Sequence, residues 1–171
     1  MKILDETGHP MMSDKEIGII DNLIKKKKPK ICLEWGSGNS TIYFPKKHRC
    51  IKEWIAIEHN RTYLELLGNK LKKGRNSIVI LPNNRQYVDY PRTLGKKFDF
   101  ILVDGEQRKY CMEIAFEIAN KDAIILLHDA CREDTDEILK NWQGKVQLLC
   151  QGEKLLSSGF YAHRGLALFK L

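Results

Sequence analysis

The feature that most constrains the fold of this chain is a series of short, continuous apolar runs separated by longer amphipathic segments. Such runs occupy residues 31–35, 54–58, 78–81, 98–103 and 123–127. Short apolar runs bounded by glycine and polar residues are typical of strands buried on both faces. Their alternation with helical patterns predicts an α/β fold: a doubly wound, mostly parallel sheet with helices on both faces, in three layers.

The segments between the runs carry helical periodicity. Ser13 and Glu16 have the spacing of a capping box, and Ile17, Ile20 and Ile24 then share one helical face. Further helices are predicted over residues 40–44, where Pro45 ends the helix, and over residues 63–71, 111–118 and 138–142.

The C-terminal part departs from this alternation. Two apolar runs, 146–150 and 166–169, flank a loop containing glycine and serine, which predicts an antiparallel, hairpin-like ending. A chain of 171 residues is within the usual size of one domain, and no repeat or linker divides it. We therefore expect a single domain over residues 1–171, with an N-terminal helix and lid segment at 1–29 and the core at 30–171.

The chain is basic, with 29 Lys and Arg against 22 Asp and Glu and a net charge of +7. Most lysine clusters lie at predicted helix ends or just before strands, where they offset the helix dipole and favour solubility. The alternative interpretation is an acidic partner such as RNA, a phosphorylated metabolite or an anionic polysaccharide. Nucleic acid is not favoured, because no arginine-rich stripe with interleaved aromatic residues occurs.

Composition also bears on the compartment. No apolar stretch approaches the roughly 20 residues of a membrane-spanning helix, and Asp5 and Glu6 lie where a signal peptide would be apolar. The five cysteines are widely spaced without a C-x-x-C pair, which disfavours zinc-knuckle and redox motifs and favours reduced thiols. A cytoplasmic protein without a membrane partner is expected.

Polar residues and glycines follow every predicted strand of the parallel region. They are the segment 34–41, Glu58-His59, Asn83-Asn84, Asp104-Gly105 and His128-Asp129. In an open α/β sheet, ligands bind beyond the carboxyl ends of the strands, where the strand order reverses. Core packing does not require polar groups at each of these ends, so the pattern predicts a cofactor crevice.

The glycine-containing segment narrows the class of cofactor. Gly36 and Gly38 allow the backbone to turn sharply and to approach a ligand closely. Glu58 lies 20 residues after Gly38, at the end of the next strand, where a carboxylate can accept both hydroxyls of an adenosine ribose. A dinucleotide-binding loop has G-x-G-x-x-G, but the third glycine position is Thr41 here. A second class of cofactor that fits a glycine loop and a ribose acid is bound by loops with E-x-G-x-G, and residues 34–38 have this pattern.

With Glu34-Trp35-Gly36-Ser37-Gly38, the chain resembles the class I S-adenosylmethionine-dependent methyltransferases over about residues 30–171. The resemblance implies a Rossmann-like sheet of seven strands in the order 3-2-1-4-5-7-6, the last one antiparallel, and S-adenosylmethionine as the cofactor. It implies cofactor contacts from Glu34, Trp35, Gly36, Gly38 and Ser40 near the methionine and ribose, from Glu58 with His59 at the ribose hydroxyls, from Asn83 or Asn84 at the adenine amine, and from Asp104 beside the transferred methyl.

The segment after the fourth strand bears on the methyl acceptor. Nucleic-acid amino-methyltransferases of this class have [N/D/S]-P-P-[Y/F/W] there, whereas residues 104–110 read Asp-Gly-Glu-Gln-Arg-Lys-Tyr. This pattern, with His128-Asp129 after the fifth strand, is more similar to small-molecule and sugar O-methyltransferases. The resemblance therefore implies O-methylation of a small molecule or glycan, with RNA or protein methylation as the alternative.

Asp104 and Asp129 end neighbouring strands in this topology and are the first candidates for catalysis. Converging carboxylates allow a general base or a Mg²⁺ site that holds a substrate hydroxyl, and capping of the strand ends is a third interpretation. His128 is a candidate base, and Arg108 is a candidate anchor for a substrate carboxylate or phosphate. No metal ligands are assigned, because the third ligand could only be Asp134 or Asp136, and only if their loop folds back.

Several expectations concern the surroundings of the crevice. By resemblance, the segment before the first helix contributes to a lid, with His9 and Met11 as contacts. His163 and Arg164 either close over the substrate or lie in a plain hairpin loop. An open pocket suits an extended substrate or a homodimer that completes it. A NAD-type oxidoreductase and a non-catalytic binding module remain as rival functions.

Overall fold

The computed structural model describes residues 8–67, 70–71, 75–131, 135–150, 153–154, 161–163 and 165–170. Strands and helices alternate along most of this length, as the apolar runs predict. In chain order the elements are α1 (Asp14–Lys27), β1 (Ile31–Trp35), α2 (Asn39–Lys47), β2 (Glu53–Glu58), α3 (Arg61–Leu67), β3 (Asn76–Ile80), α4 (Asn84–Thr93), β4 (Phe98–Val103), α5 (Arg108–Ile118), β5 (Ala119–His128), α6 (Asp136–Asn141), β6 (Val146–Cys150), β7 (Glu153–Lys154), β8 (Tyr161–His163) and β9 (Leu166–Phe169).

The seven-stranded sheet has the order β3-β2-β1-β4-β5-β9-β6. The pairs among its first five strands are parallel, and β9 is antiparallel to both β5 and β6. This confirms the predicted fold class, including the antiparallel C-terminal strand. Because β1 lies between β2 and β4, the strand order reverses there. In open α/β sheets the ligand crevice lies beyond the carboxyl ends of the strands at such a point.

Two apolar clusters hold the helices against the sheet. On one face, Ile20 and Ile24 of α1 and Phe44 of α2 are fully buried with Trp54 and Phe100 of the sheet. On the other face, α4, α5 and α6 contribute Tyr87, Cys111, Met112, Ile114 and Ile138 to a second cluster. Burial of apolar surface on both faces accounts for the nearly continuous apolar strands.

Helix α2 extends to Lys47, so the prediction that Pro45 ends the helix is wrong. Proline has no N–H, and within a helix it leaves the carbonyl four residues earlier without its usual donor. That carbonyl belongs to Thr41, and the side-chain amide of Asn76 at the start of β3 donates to it at 3.1 Å. A donor distant in sequence therefore satisfies the helix at its proline.

Helix α4 was not predicted from the sequence, and it also contains a proline, Pro91. The side chain of Asn83 caps its first turn. The carbonyl freed by Pro91 belongs to Tyr87, and it accepts a hydrogen bond from the Trp35 indole N–H at 3.0 Å. In both helices, a side-chain N–H from a distant residue donates to the carbonyl that the proline leaves free. In α4 this hydrogen bond joins the helix to the end of β1.

Two further findings concern cysteines and membranes. All five cysteines are free thiols, as predicted, and burial raises the pKa of the Cys32 and Cys111 thiols, so that these two stay protonated near neutral pH. Among the described helices, none is long and apolar enough to cross a membrane.

Candidate functional site

The loops that follow β1 and β4 cross in direct contact at the mouth of the crevice. Gly36 has a φ of +90°, and a Cβ there would lie 2.9 Å from the backbone of Gly105. A Cβ on Gly105 would lie 1.9 Å from the Tyr87 hydroxyl and 2.8 Å from the Gly36 nitrogen. Both positions therefore need glycine, one for its conformation and both for space.

Glu58 ends β2 with a buried carboxylate that faces the loop after β1. One carboxylate oxygen accepts hydrogen bonds from the Ser37 N–H at 2.8 Å and the Ser37 hydroxyl at 2.9 Å. The other accepts from the backbone N–H groups of His59 and Asn60, each at 2.8 Å. Four neutral donors thus hold the Glu58 carboxylate at the crevice, in the place predicted for the ribose acid.

Glu34 lies below the same loop and is fully buried. Its carboxylate accepts hydrogen bonds from the Ser40 hydroxyl at 2.5 Å, the Thr41 hydroxyl at 2.7 Å and the Trp54 indole N–H at 2.8 Å. Burial raises the pKa of Glu34 to about 8, although the three donors oppose the shift. The side chain connects β1, β2 and the first turn of α2, and thereby supports the loop from beneath.

A cluster of charged side chains lies at the ends of β4 and β5. His128 Nδ1 lies 2.7 Å from an Asp104 carboxylate oxygen and 4.0 Å from Asp129 Oδ1. Arg108 Nη2, from the first turn of α5, lies 3.6 Å from a carboxylate oxygen of both Asp104 and Asp129. The structure therefore brings together all four residues that were predicted as catalytic.

Glu16 of α1 also belongs to this cluster, and sequence reasoning did not find its role. One Glu16 oxygen accepts from the Ser13 N–H and hydroxyl at 2.8 and 2.9 Å, and the other lies 3.6 Å from His128 Nε2. Burial by itself would raise the pKa of Glu16, but His128 and Ser13 outweigh it and lower the value to about 2. The capping-box pattern was visible in the sequence, but it did not indicate that α1 packs against the end of β5.

His128 is buried between carboxylates from three elements. Burial by itself would lower the pKa of its imidazole, but Asp104, Glu16 and Asp129 outweigh it and raise the value to about 10. The imidazole is therefore protonated at neutral pH and donates from Nδ1 to Asp104. A protonated imidazole cannot accept a proton, so this environment favours an orienting role for His128 over the predicted role as a base.

The described residues do not favour the Mg²⁺ interpretation. Among them, no group of three His, Cys, Asp or Glu side chains could hold a metal ion. The Arg108 guanidinium lies between Asp104 and Asp129, where a cation bridging the two carboxylates would lie. Of the suggested third ligands, Asp134 and the side chain of Asp136 lie outside the described part of the chain.

Comparisons with known proteins place this geometry in context. No protein-family model and no curated protein matches the chain. A Staphylococcus aureus protein assigned as a caffeoyl-CoA O-methyltransferase is 18% identical, with a TM-score of 0.71 over 95% of this chain and 86% of its own. An O-methyltransferase from Bacillus cereus in complex with SAH is 16% identical, with a TM-score of 0.65 over 93% and 82%. An rRNA methylase from Streptococcus thermophilus is 10% identical, with a TM-score of 0.62 over 91% and 96%.

The chain has the fold of the class I methyltransferases. The likeness spans nearly the whole chain in each comparison, and it confirms the predicted resemblance at the level of the fold. Because one fold carries many activities, the activity has to be argued from the side chains.

Within this methyltransferase fold, several residues predicted to contact the cofactor have other partners. Trp35 is buried and donates to the Tyr87 carbonyl. Ser40 is buried and donates to Glu34, while Gly38 is the residue before α2 and donates its N–H to the Thr41 hydroxyl at 3.2 Å. These contacts fix the conformation of the loop. The predicted contacts of Trp35, Gly38 and Ser40 with the cofactor stay predictions.

At the other end of the crevice, the asparagines after β3 lie on the surface. The Asn83 carbonyl oxygen caps α4 by accepting from the N–H groups of Arg85 and Gln86 at 3.0 and 3.1 Å. Asn84 is exposed in the first turn of α4. His59 is partly exposed, with Nδ1 3.1 Å from a Glu58 oxygen. Of the three, His59 lies nearest to the carboxylate that the resemblance assigns to the ribose.

The segment before α1 lies beside the loop after β1. The Asn39 side-chain amide donates to the His9 carbonyl at 2.8 Å, and the His9 ring lies 5.8 Å from the Tyr43 ring. The Met11 side chain is 60% exposed. These contacts place the segment beside the loop, and its role as a lid stays a prediction. Arg164 and the side chain of His163 lie outside the described residues.

Proposed function

We propose that this protein is an S-adenosylmethionine-dependent methyltransferase that methylates a hydroxyl oxygen of a small molecule or glycan. The observation that carries the proposal is the pairing of the Gly36 turn with the buried Glu58 carboxylate at the strand-order reversal of this sheet. The fold supports it, because solved structures with the same fold include the O-methyltransferase from Bacillus cereus and the Staphylococcus aureus protein assigned as one.

The residues at Glu58 fit the ribose of such a cofactor. Three of the four donors to Glu58 are backbone N–H groups, whose positions depend on the fold, and the fourth is the Ser37 hydroxyl. A hydroxyl can rotate away, and a ribose hydroxyl can then replace it with a hydrogen bond of the same kind. When bound, S-adenosylmethionine supplies an electrophilic methyl group on a sulfonium.

The cluster at β4 and β5 would act on the acceptor. Asp104 and Asp129 are each about a quarter exposed, whereas His128 and Arg108 are buried behind them. A carboxylate at the crevice can orient an acceptor hydroxyl and take its proton as the new O–C bond forms. His128 and Arg108 hold the carboxylates in place. The metal-free base is therefore the version of the mechanism that the charges favour.

The rival functions differ in what they would bind. RNA methylation has support from the rRNA methylase with the same fold and from the net charge of +7. A NAD-type oxidoreductase has less support, because Thr41 replaces the third loop glycine and its hydroxyl donates to the buried Glu34. Methylation of a protein stays an alternative without a specific observation in its favour.

Calorimetric titration with S-adenosylhomocysteine and, separately, NADH tests the cofactor. We expect micromolar binding of S-adenosylhomocysteine alone, and a loss of at least about a hundredfold in Glu58→Ala, because hydrogen bonds to a charged group contribute about 1.5–3 kcal/mol each. Glu113→Ala, which removes an exposed carboxylate from α5, is the matched control.

Glu58→Gln keeps the side-chain size and separates a folding defect from a binding defect. A Glu58→Gln protein that is folded by circular dichroism and retains full affinity would remove Glu58 from the cofactor site. Binding of NADH instead of S-adenosylhomocysteine would overturn the proposed function.

A further inference from the structure

The positive charge of this protein is concentrated at one end of the sheet. Helix α1 precedes β1, helix α2 precedes β2, and each runs antiparallel to the strand that it precedes. The last turns of both helices therefore lie beside the first residues of the parallel strands. We call this end the amino edge. Twelve of the exposed basic residues at this end are Lys25, Lys26, Lys27, Lys28, Lys30, Lys46, Lys47, Arg49, Lys52, Lys96, Lys97 and Lys121.

Backbone and side-chain contacts bring these residues together. The Lys30 carbonyl accepts from the N–H groups of Lys52 and Glu53 at 2.8 and 3.0 Å, which places the starts of β1 and β2 side by side. The Lys30 N–H donates to Asp99 at the start of β4 at 2.8 Å, and Lys96 binds Glu53 at 2.7 Å. The basic residues therefore form one continuous surface across β2, β1, β4 and β5.

Few negative charges balance this surface. Five carboxylates lie at the same edge, against these twelve basic residues: Asp21, Glu53, Asp99, Glu117 and Asp122. Of the five, Glu117 is already paired with Arg92 of α4. Among the described residues, only Lys47 and Lys96 of the twelve form ion pairs, with Asp21 and Glu53. The other ten keep their charge available to a partner.

The helix dipole accounts for only some of the basic residues at the amino edge. Its effect falls off within the last turn of a helix, which accounts for Lys25 to Lys27 and for Lys46 and Lys47. Lys30, Arg49, Lys52 and Lys121 lie in loops or strands. Their charges therefore call for a different explanation, and an anionic partner supplies one.

We propose that the amino edge binds the phosphodiester backbone of a nucleic acid. Clustered lysines contact phosphates through charge alone, without reading bases. Lipid surfaces fit less well, because peripheral attachment combines basic residues with inserted apolar side chains. The exposed large apolar side chains of the described residues are Met11, Leu66, Tyr110 and Leu148, and none belongs to the amino edge.

The amino edge lies at the opposite end of the strands from the candidate catalytic site. Strands of five or six residues at about 3.3 Å per residue separate the two ends by roughly 17–20 Å. Nucleic acid held at the amino edge is therefore not placed at the catalytic carboxylates. The surface would attach the protein to nucleic acid and does not determine the methyl acceptor, so the inference is independent of the proposed function.

The test measures fluorescence anisotropy of a labelled single-stranded RNA of about 20 nucleotides, long enough to span several phosphate contacts, across a series of KCl concentrations. The edge variant K30Q/R49Q/K52Q/K121Q removes four charges that make no ion pair with described residues. The control variant K15Q/R61Q/R85Q/K109Q removes four charges from the first turns of α1, α3, α4 and α5, at the other end of the sheet. Circular dichroism verifies folding, and titration with S-adenosylhomocysteine verifies that the crevice is intact.

We expect the wild type to bind RNA with a steep salt dependence. The edge variant should bind about tenfold more weakly at 0.1 M KCl, with its log–log salt slope reduced by up to about 3, since each phosphate contact to a single strand contributes about 0.7. The control should change affinity by less than about twofold. Equal losses in the two variants, no RNA binding by the wild type at 50 mM KCl, or binding only to phosphatidylserine vesicles would each overturn the proposal.

Discussion

The two halves of the crevice hold their carboxylates in different ways. In the half formed by β1 and β2, Glu58 accepts hydrogen bonds from the neutral N–H and O–H groups of Ser37, His59 and Asn60. In the half formed by β4 and β5, Asp104 and Asp129 face the cations His128 and Arg108. One half is suited to exchanging hydroxyl partners, and the other to holding fixed charges near a reacting proton.

This difference separates binding from chemistry. Neutral donors can be replaced by the hydroxyls of a ligand with little change in charge. Buried cations cannot be replaced in this way, because each carboxylate left without its partner would carry an uncompensated charge. Substitutions in the first half should therefore change cofactor affinity, and substitutions in the second should change turnover or stability.

The largest effect, a loss of turnover, is expected from substitutions in the half formed by β4 and β5. Asp129→Asn should lower turnover about 10²- to 10⁴-fold, the range of general acid–base catalysis, while affinity for S-adenosylhomocysteine stays within about twofold. Asp104→Asn should behave similarly and also weaken the contact with His128, because the amide oxygen can still accept a hydrogen bond but the carboxylate charge is lost. Single-turnover kinetics with a screened acceptor measure the first quantity, and calorimetry measures the second.

Asp122→Asn is the matched control, because this exposed carboxylate lies in β5 at the opposite end of the strand from Asp129. If Asp129→Asn weakened cofactor binding and left turnover per bound cofactor unchanged, the division between the two halves would be wrong.

Sequence reasoning predicted the sheet and the crevice more completely than the helices. Apolar runs and the residues after them identify parallel strands and their polar ends, because strand burial and the site at the strand ends both leave local patterns. Pro45 was misleading and α4, which contains Pro91, was missed. The donors that satisfy the two helices at their prolines, Asn76 and Trp35, are distant in sequence. Rules based on local sequence take account of the N–H that proline lacks, but not of a distant side chain that donates in its place.

The same limit applies to the candidate site. Three of the predicted catalytic residues, Asp104, His128 and Asp129, come together because they lie at strand ends, which a sequence pattern can locate, and Arg108 joins them from the first turn of the helix after β4. Glu16 lies in the first turn of α1, and its position beside His128 depends on how α1 packs on the sheet. The motif predicted Glu34 as a cofactor contact, which stays a prediction, but it gave no sign of the three side chains that converge on Glu34 in the fold.

The second-largest effect is expected from removing the charge of Glu16, which faces His128 in the half formed by β4 and β5. Glu16→Gln keeps an oxygen that can accept from Ser13, because Gln also serves in a capping box, but it removes the charge that faces His128. We expect a loss of about 3 kcal/mol in the free energy of unfolding at pH 7, the range for removing one partner of a buried pair. Denaturant titration measures it, and Ser13→Ala, which removes the cap hydroxyl but keeps the charge, is the control.

The pH dependence of stability gives this prediction its sign. The pKa of His128 is raised from 6.5 to about 10, so the stabilisation from its ion pairs is complete below pH 6.5 and is lost as pH rises towards 10. The pKa of Glu16 is lowered from 4.5 to about 2, so its stabilisation is present above pH 4.5 and is lost as pH falls towards 2. In Glu16→Gln the acid-side loss should shrink, and the alkaline loss, which still begins near pH 6.5, should be smaller and end at a lower pH. An unchanged profile of melting temperature against pH would separate Glu16 from the cluster.

The smallest effect is expected from Ser37→Ala, and it is the sharpest test of the first half. The Ser37 hydroxyl supplies one of the four hydrogen bonds to Glu58, while the N–H of the same residue stays in place after the substitution. If a ribose hydroxyl replaces the serine hydroxyl on binding, its removal costs the complex nothing and leaves an acceptor site open beforehand. Affinity for S-adenosylhomocysteine should then stay the same or rise about two- to threefold, against the hundredfold loss in Glu58→Ala. A large loss in Ser37→Ala would mean that the hydroxyl itself contacts the cofactor, and that the neutral donors around Glu58 are part of the bound state rather than partners exchanged on binding.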